Sequence, residues 1–147
     1  MKLAIFIFAM TLAVMSAAAQ SVHTPEKGTP ERKAILDTLR VPIERELKQP
    51  IVFVADTFNV SGTWAFVSGS LQGADGNAPD FSNTQYSEAM EAGAFDNNYF
   101  ALLKRSSNKW KVVTYQIGCT DVCYLPWPEQ YRAPKVIFPY IDEQGKE

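Results

Sequence analysis

Ile51 to Leu71 reads IVFVADTFNVSGTWAFVSGSL, and the period of that stretch decides the fold. Val52, Val54, Phe58 and Val60 alternate on one face of an extended chain, interrupted by Asp56. Ile51, Phe53 and Ala55 point the other way, so the strand is expected to be covered on both sides for part of its length. Ser61-Gly62 is a tight-turn signal, and Thr63 to Leu71 reads as the returning strand. A second hairpin follows downstream. NYFALLKR from Asn98 is extended, SSNK connects, and WKVVTYQI returns. In that last strand Lys111, Val113, Tyr115 and Ile117 are expected on one face, with Trp110, Val112, Thr114 and Gln116 on the other.

The period changes upstream. Ile35, Leu39, Ile43 and Leu47 recur every four residues beside Leu36, which makes one apolar helical stripe among charged neighbours. Thr29 suits the N-cap, Pro30 the first helical position, and Glu31 places negative charge in the first turn. Pro42 removes the bond to the Thr38 carbonyl and is expected to kink or split this helix, which Gln49-Pro50 ends. Glu88 to Ala92 predicts a short helix stopped by Gly93. The Pro- and aromatic-rich segment YLPWPEQYRAPKVIFPY is expected to pack on as a lid or last helix. These elements make an α+β domain: a kinked N-terminal helix on a curved antiparallel sheet of about four strands.

The chain opens MKLAIFIFAMTLAVMSAAAQ, with Lys2, an uncharged run from Leu3 to Met15, and a small-residue close at Ser16 to Ala19. That order predicts a signal peptide over 1–19, cut before Gln20, and hence a periplasmic or secreted protein. A run of 13 residues is short of the roughly 20 that span a bilayer. Residues 20–28 read as a flexible lead-in, 29–140 as one α+β domain, and 141–147 as a polar tail. Loss of Lys2, the one charge in 1–19, takes the net charge from −2 to −3. Charges of both signs are interspersed without a basic stripe, so no nucleic-acid partner and no membrane span are expected.

The one histidine, His23, sits in the lead-in, away from any packing that would hold an imidazole for catalysis. ADGNAPD, Ala74 to Asp80, carries only a fragment of a calcium-loop pattern and lacks its closing acid. No phosphate-cradling glycine motif is present. No cofactor and no metal are therefore expected. Two carboxylates stay in view. Asp56 lies inside an apolar strand and reads first as a solvent-facing strand residue. Asp121 lies between the cysteines and reads first as a cap or turn bond.

IGCTDVCYLPW, Ile117 to Trp127, holds both cysteines of the chain. In an exported protein Cys119 and Cys123 form a disulfide, a staple for the turn after Gly118. Three intervening residues exclude the C-x-x-C redox spacing. Around that staple Asp121, Tyr124, Trp127 and Tyr131 either form an exposed binding cluster or cap the open side of the sheet, with burial favoured.

The order helix, GTWAFVSGSL, YFALLKR and KWKVV resembles the nuclear-transport-factor-2-like and cystatin-like folds, in which a long helix rests on a curved antiparallel sheet. TPERKAILDTLR, GTWAFV and IGCTDVCYLPW resemble a set of small exported bacterial proteins to which no activity is assigned. The resemblance implies a shared domain, and the His-Asp pairs of catalytic members of the larger superfamily have no counterpart here. Together these readings favour a non-enzymatic envelope protein that binds a protein or small ligand, an inhibitor or immunity-type partner being one form. The alternatives are a carboxylate-based hydrolase or isomerase and an accessory envelope domain.

Overall fold

A computed structural model describes residues 21–141. The expected signal peptide and the end of the polar tail, 142–147, lie outside the described residues.

The elements follow the sequence periods. Helix α1 spans Pro30–Leu47, and strands β1 (Val52–Ser61) and β2 (Trp64–Gln72) form the first hairpin. A short α2 (Ser87–Glu91) precedes strands β3 (Asn98–Ser106) and β4 (Lys109–Ile117). The lid holds α3 (Trp127–Tyr131) and a 3-10 turn at Lys135–Ile137. The sheet is an antiparallel meander in the order β1-β2-β3-β4, which leaves β1 and β4 as edges. Gly62, at φ 57°, turns the first hairpin; Ser107 and Asn108, at φ 50° and 58°, turn the second, as tight two-residue hairpin turns require.

Both faces of the sheet are covered. On one, the α1 stripe Ile35, Leu39, Ile43 and Leu47 packs on Phe58, Val60, Ala65, Val67, Leu71, Tyr99, Ala101, Leu103, Trp110 and Ile117. On the other, Phe66 and Leu102 are sealed by Tyr124, Trp127, Ala133, Ile137 and Phe138 of the lid. The Phe66 ring lies 4.8 Å from that of Tyr124 and 6.4 Å from that of Trp127. The aromatic segment is therefore a cap, not an exposed surface.

Three expectations need correction. Helix α1 is not split at Pro42: it runs as one 18-residue helix with Pro42 inside and Thr29 Oγ1 capping its start. An internal proline costs about 3 kcal/mol. Beyond it lie Ile43 and Leu47, fully or nearly fully buried. Each contributes about 1.5–3 kcal/mol, enough to hold the last turn in place.

The second correction concerns the strand faces. In β1 the register shifts between Ala55 and Thr57, so Asp56 is an extra residue opposite Gly69. In β4 it shifts between the partners of Leu102 and Leu103, so Val113 is extra. A bulge inverts the side-chain phase of its strand. Phe53 and Ala55 before the first bulge and Phe58 and Val60 after it all pack toward α1, while Val52 and Val54 are exposed. Likewise Trp110 and Val112, then Tyr115 and Ile117, face α1, whereas Val113 faces the lid.

The third correction is the lead-in, which is pinned rather than loose. His23 and Val60 exchange two backbone hydrogen bonds, of 2.9 and 2.8 Å. Pro25 is buried, and its carbonyl accepts a 3.0 Å bond from Arg32 Nη1.

Candidate functional site

Tethering of the lead-in to β1 encloses a groove. Thr24, Pro25, Glu26 and Lys27 form one wall, and Ala55, Asp56, Thr57, Phe58 and Asn59 of β1 form the other. Arg32 of α1 and Pro139 of the lid complete a volume of about 600 Å³. Small-molecule sites commonly occupy about 300–1,000 Å³.

The β1 bulge puts chemistry into that groove. Asp56 is exposed, as Val52 and Val54 are, and as the extra residue of the bulge it lines the groove. Gly69 permits this, because a Cβ there would overlap the Val54 carbonyl and crowd the Asp56 amide at 2.9 Å. Among the described residues the Asp56 carboxylate has no ion-pair partner. The Arg32 guanidinium is held instead by the Pro25 carbonyl and by the Phe58 ring, whose centroid lies 4.5 Å away. A fixed cation and an unpaired carboxylate thus line the same groove.

A phenol lies in the core behind them, outside the groove lining. Tyr99 is paired in register with Gly69, itself paired with Ala55. With no side chain at Gly69, the Tyr99 ring reaches Phe53 of β1 edge-on, centroids 5.0 Å apart. Its hydroxyl is fully buried and, among the described residues, has no hydrogen-bond partner. Burial pushes its pKa well up, the Asp56 charge pushes it further, and Arg32 opposes both. Tyr99 therefore stays a neutral donor, within electrostatic reach of both groove charges. A buried donor without a partner costs about 1–3 kcal/mol.

Of the two carboxylates singled out in the sequence, only Asp56 reaches such a site. Asp121 is exposed on the disulfide loop, where its Oδ1 accepts from the Val122 amide at 2.7 Å and its carbonyl from Cys123 at 2.9 Å. That is the expected turn bond. Cys119 and Cys123 form the disulfide, with Cα atoms 6.4 Å apart across bends rather than a helical turn. Asn98 Nδ2 ties the loop to β3 through the Cys119 carbonyl. Tyr124 and Trp127 are buried in the lid and Tyr131 half-buried beside them, so these three do not make a joint binding surface with Asp121. Among the described residues no cluster of three or more His, Cys, Asp or Glu side chains is placed to hold a metal ion. Asp75 is occupied by the Asn77 amide and side chain, whose hydrogen bonds hold its carboxyl below the usual range. No described helix is long and apolar enough to cross a membrane.

A second polar cluster gave no sequence signal. Glu46, on the last turn of α1, accepts from Tyr86 and Gln85 through one oxygen and from Tyr115 through the other. Burial first, then the Glu46 carboxylate, pushes Tyr86 up to about 12 and Tyr115 higher. Both phenols remain donors, and the carboxylate clamps α1 to β4 and to the segment before α2. The partners lie 39, 40 and 69 residues away, so no local pattern announces them.

Compared with known proteins, the chain matches no family model, no curated sequence and no solved structure.

Proposed function

We propose that this chain is an exported, non-enzymatic binding protein of nuclear-transport-factor-2-like or cystatin-like build. Its groove beside the β1 bulge takes a small ligand, or a partner's side chain, that carries a cationic group. One observation carries the reading: Asp56 has no ion-pair partner among the described residues, in a groove of about 600 Å³ where Arg32 is held by the Pro25 carbonyl and the Phe58 ring and Lys27, on the opposite wall, makes no ion pair with it. An ammonium or guanidinium suits Asp56.

The test uses residues 20–147, which hold every element described. Amino acids, polyamines and short peptides are screened by thermal shift and calorimetry, with Asp56→Asn alongside. Loss of a charged contact of about 1.5–3 kcal/mol predicts roughly 10- to 100-fold weaker binding by the variant at unchanged melting temperature. If no amine-bearing compound binds, or if the variant binds equally well, the reading is wrong.

The same groups support a second reading, a carboxylate-based hydrolase or isomerase. Asp56 would then act as the base, with the fixed Arg32 guanidinium in the same groove to face developing negative charge. Turnover abolished in Asp56→Asn, with binding retained, would select it over the first.

A further inference from the structure

The second hairpin concentrates charge that the linear sequence disperses. In LKRSSNKWK, Leu103 to Lys111, the register sets Lys104 directly opposite Lys111 and Ser106 opposite Lys109. Opposed residues share a face, so three lysines crowd the lid side of the sheet. Arg105, opposite Trp110, points to the other side with its guanidinium 5.4 Å from that indole centroid. Lys104 Nζ lies 4.7 Å from the centroid of Trp64, its partner on β2. All four cations are exposed, and none has an ion-pair partner among the described residues. The chain as a whole carries a net −2.

Like charges directly opposite one another destabilise a sheet. Lysines on an open edge discourage a second chain from pairing there, which accounts for Lys109 and Lys111 on β4. It does not account for Lys104 and Arg105, because β3 is an interior strand. Nor do the cations line a cavity. The Arg105 amide donates to the Thr63 carbonyl of the first hairpin's turn at 2.7 Å, and the Ser106–Lys109 pair with its turn extends beyond as a two-stranded tip. The Trp64 and Trp110 rings offset part of the like-charge repulsion through cation–π contacts, and leave four exposed positive charges at one end of the sheet without an ion pair among the described residues. A tip carrying charge on both sides, with indoles beneath, fits an extended anionic surface better than a small anion.

We propose that this hairpin tip docks the protein peripherally on an anionic lipid bilayer through Lys104, Arg105, Lys109 and Lys111. At about fivefold per cation, four cations raise partition onto an acidic bilayer several hundredfold over a neutral one. Residues 20–147 are sedimented with vesicles of phosphatidylcholine alone and with 30–40% phosphatidylglycerol (roughly, a composition chosen for strong surface charge). Binding to the acidic vesicles only, released by about 0.5 M salt, is expected. The Lys104→Gln/Lys111→Gln pair is expected to bind about 25-fold more weakly at equal or higher melting temperature, since it also removes the opposed charges. Equal binding to both vesicles, undiminished binding by the double variant, or hairpin-dependent binding to poly-glutamate or an oligonucleotide in place of vesicles would each overturn the assignment.

Discussion

Each edge strand of this sheet carries one bulge, and the two have opposite consequences. In β1 the extra residue is Asp56, exposed in the groove; in β4 it is Val113, half-buried against the lid. The mechanics are shared. Each bulge inverts the phase of its strand, so apolar residues on both sides of it reach the α1 core. The chemistry differs because one extra residue is a carboxylate and the other an aliphatic. The β4 bulge still has a polar result at a distance: inversion at Val113 turns Tyr115 toward α1, where it reaches Glu46. One bulge thus places a carboxylate in the groove, and the other locks the scaffold behind it.

That contrast is most easily broken at Gly69. Its Cβ position collides with backbone, not with a side chain that can move aside, so Gly69→Ala is expected to cost about 3 kcal/mol or more in urea unfolding. No glycine faces the β4 bulge, whose partners are Leu102 and Leu103. A loss below about 1 kcal/mol would mean the β1 bulge relaxes freely and does not fix Asp56. Next in size is Glu46→Gln, which weakens charged hydrogen bonds from Tyr86 and Tyr115. About 2 kcal/mol is expected by the same measurement. Val113→Ala should cost about 1 kcal/mol through lost packing on the lid. Asp56→Asn should change stability by less than about 0.5 kcal/mol while weakening ligand binding. If Asp56 behaved like Val113, stabilising without binding, the functional contrast between the bulges would disappear.

The Glu46 clamp also makes a pH prediction. Unfolded tyrosines ionise near 10, whereas burial and Glu46 hold Tyr86 protonated to about 12 and Tyr115 further up. Between those limits the native state binds more protons than the unfolded chain, so stability falls as pH rises. Urea midpoints should be flat on approach to pH 10 and decline above it. In Glu46→Gln the decline should be shallower, since burial remains but the carboxylate does not.

Much of this molecule is legible in its sequence. The stripe Ile35–Leu39–Ile43–Leu47, the Thr29 cap, both hairpins and the Cys119–Cys123 staple all stand where local pattern puts them. These features depend on periods of two and about four residues, on turn chemistry, and on groups only a few residues apart. Pattern also marked Asp56 as a residue that interrupts its strand, without saying where the carboxylate points. The side-chain phase beyond Asp56 and Val113 depends on which residue of a neighbouring strand lies opposite, and a bulge changes that without any period of its own. Continuity of α1 through Pro42 depended on what Ile43 and Leu47 bury against, and burial of Tyr124 and Trp127 on Phe66 being open to the lid. The meeting of Asp56 and Arg32 in one groove, like that of Glu46 with Tyr86 and Tyr115, joins residues from distant elements. Sequence by itself determined the elements, because their causes are local. Tertiary structure alone decided the groove, the clamp and the charged tip, because register and packing set which distant side chains share a space.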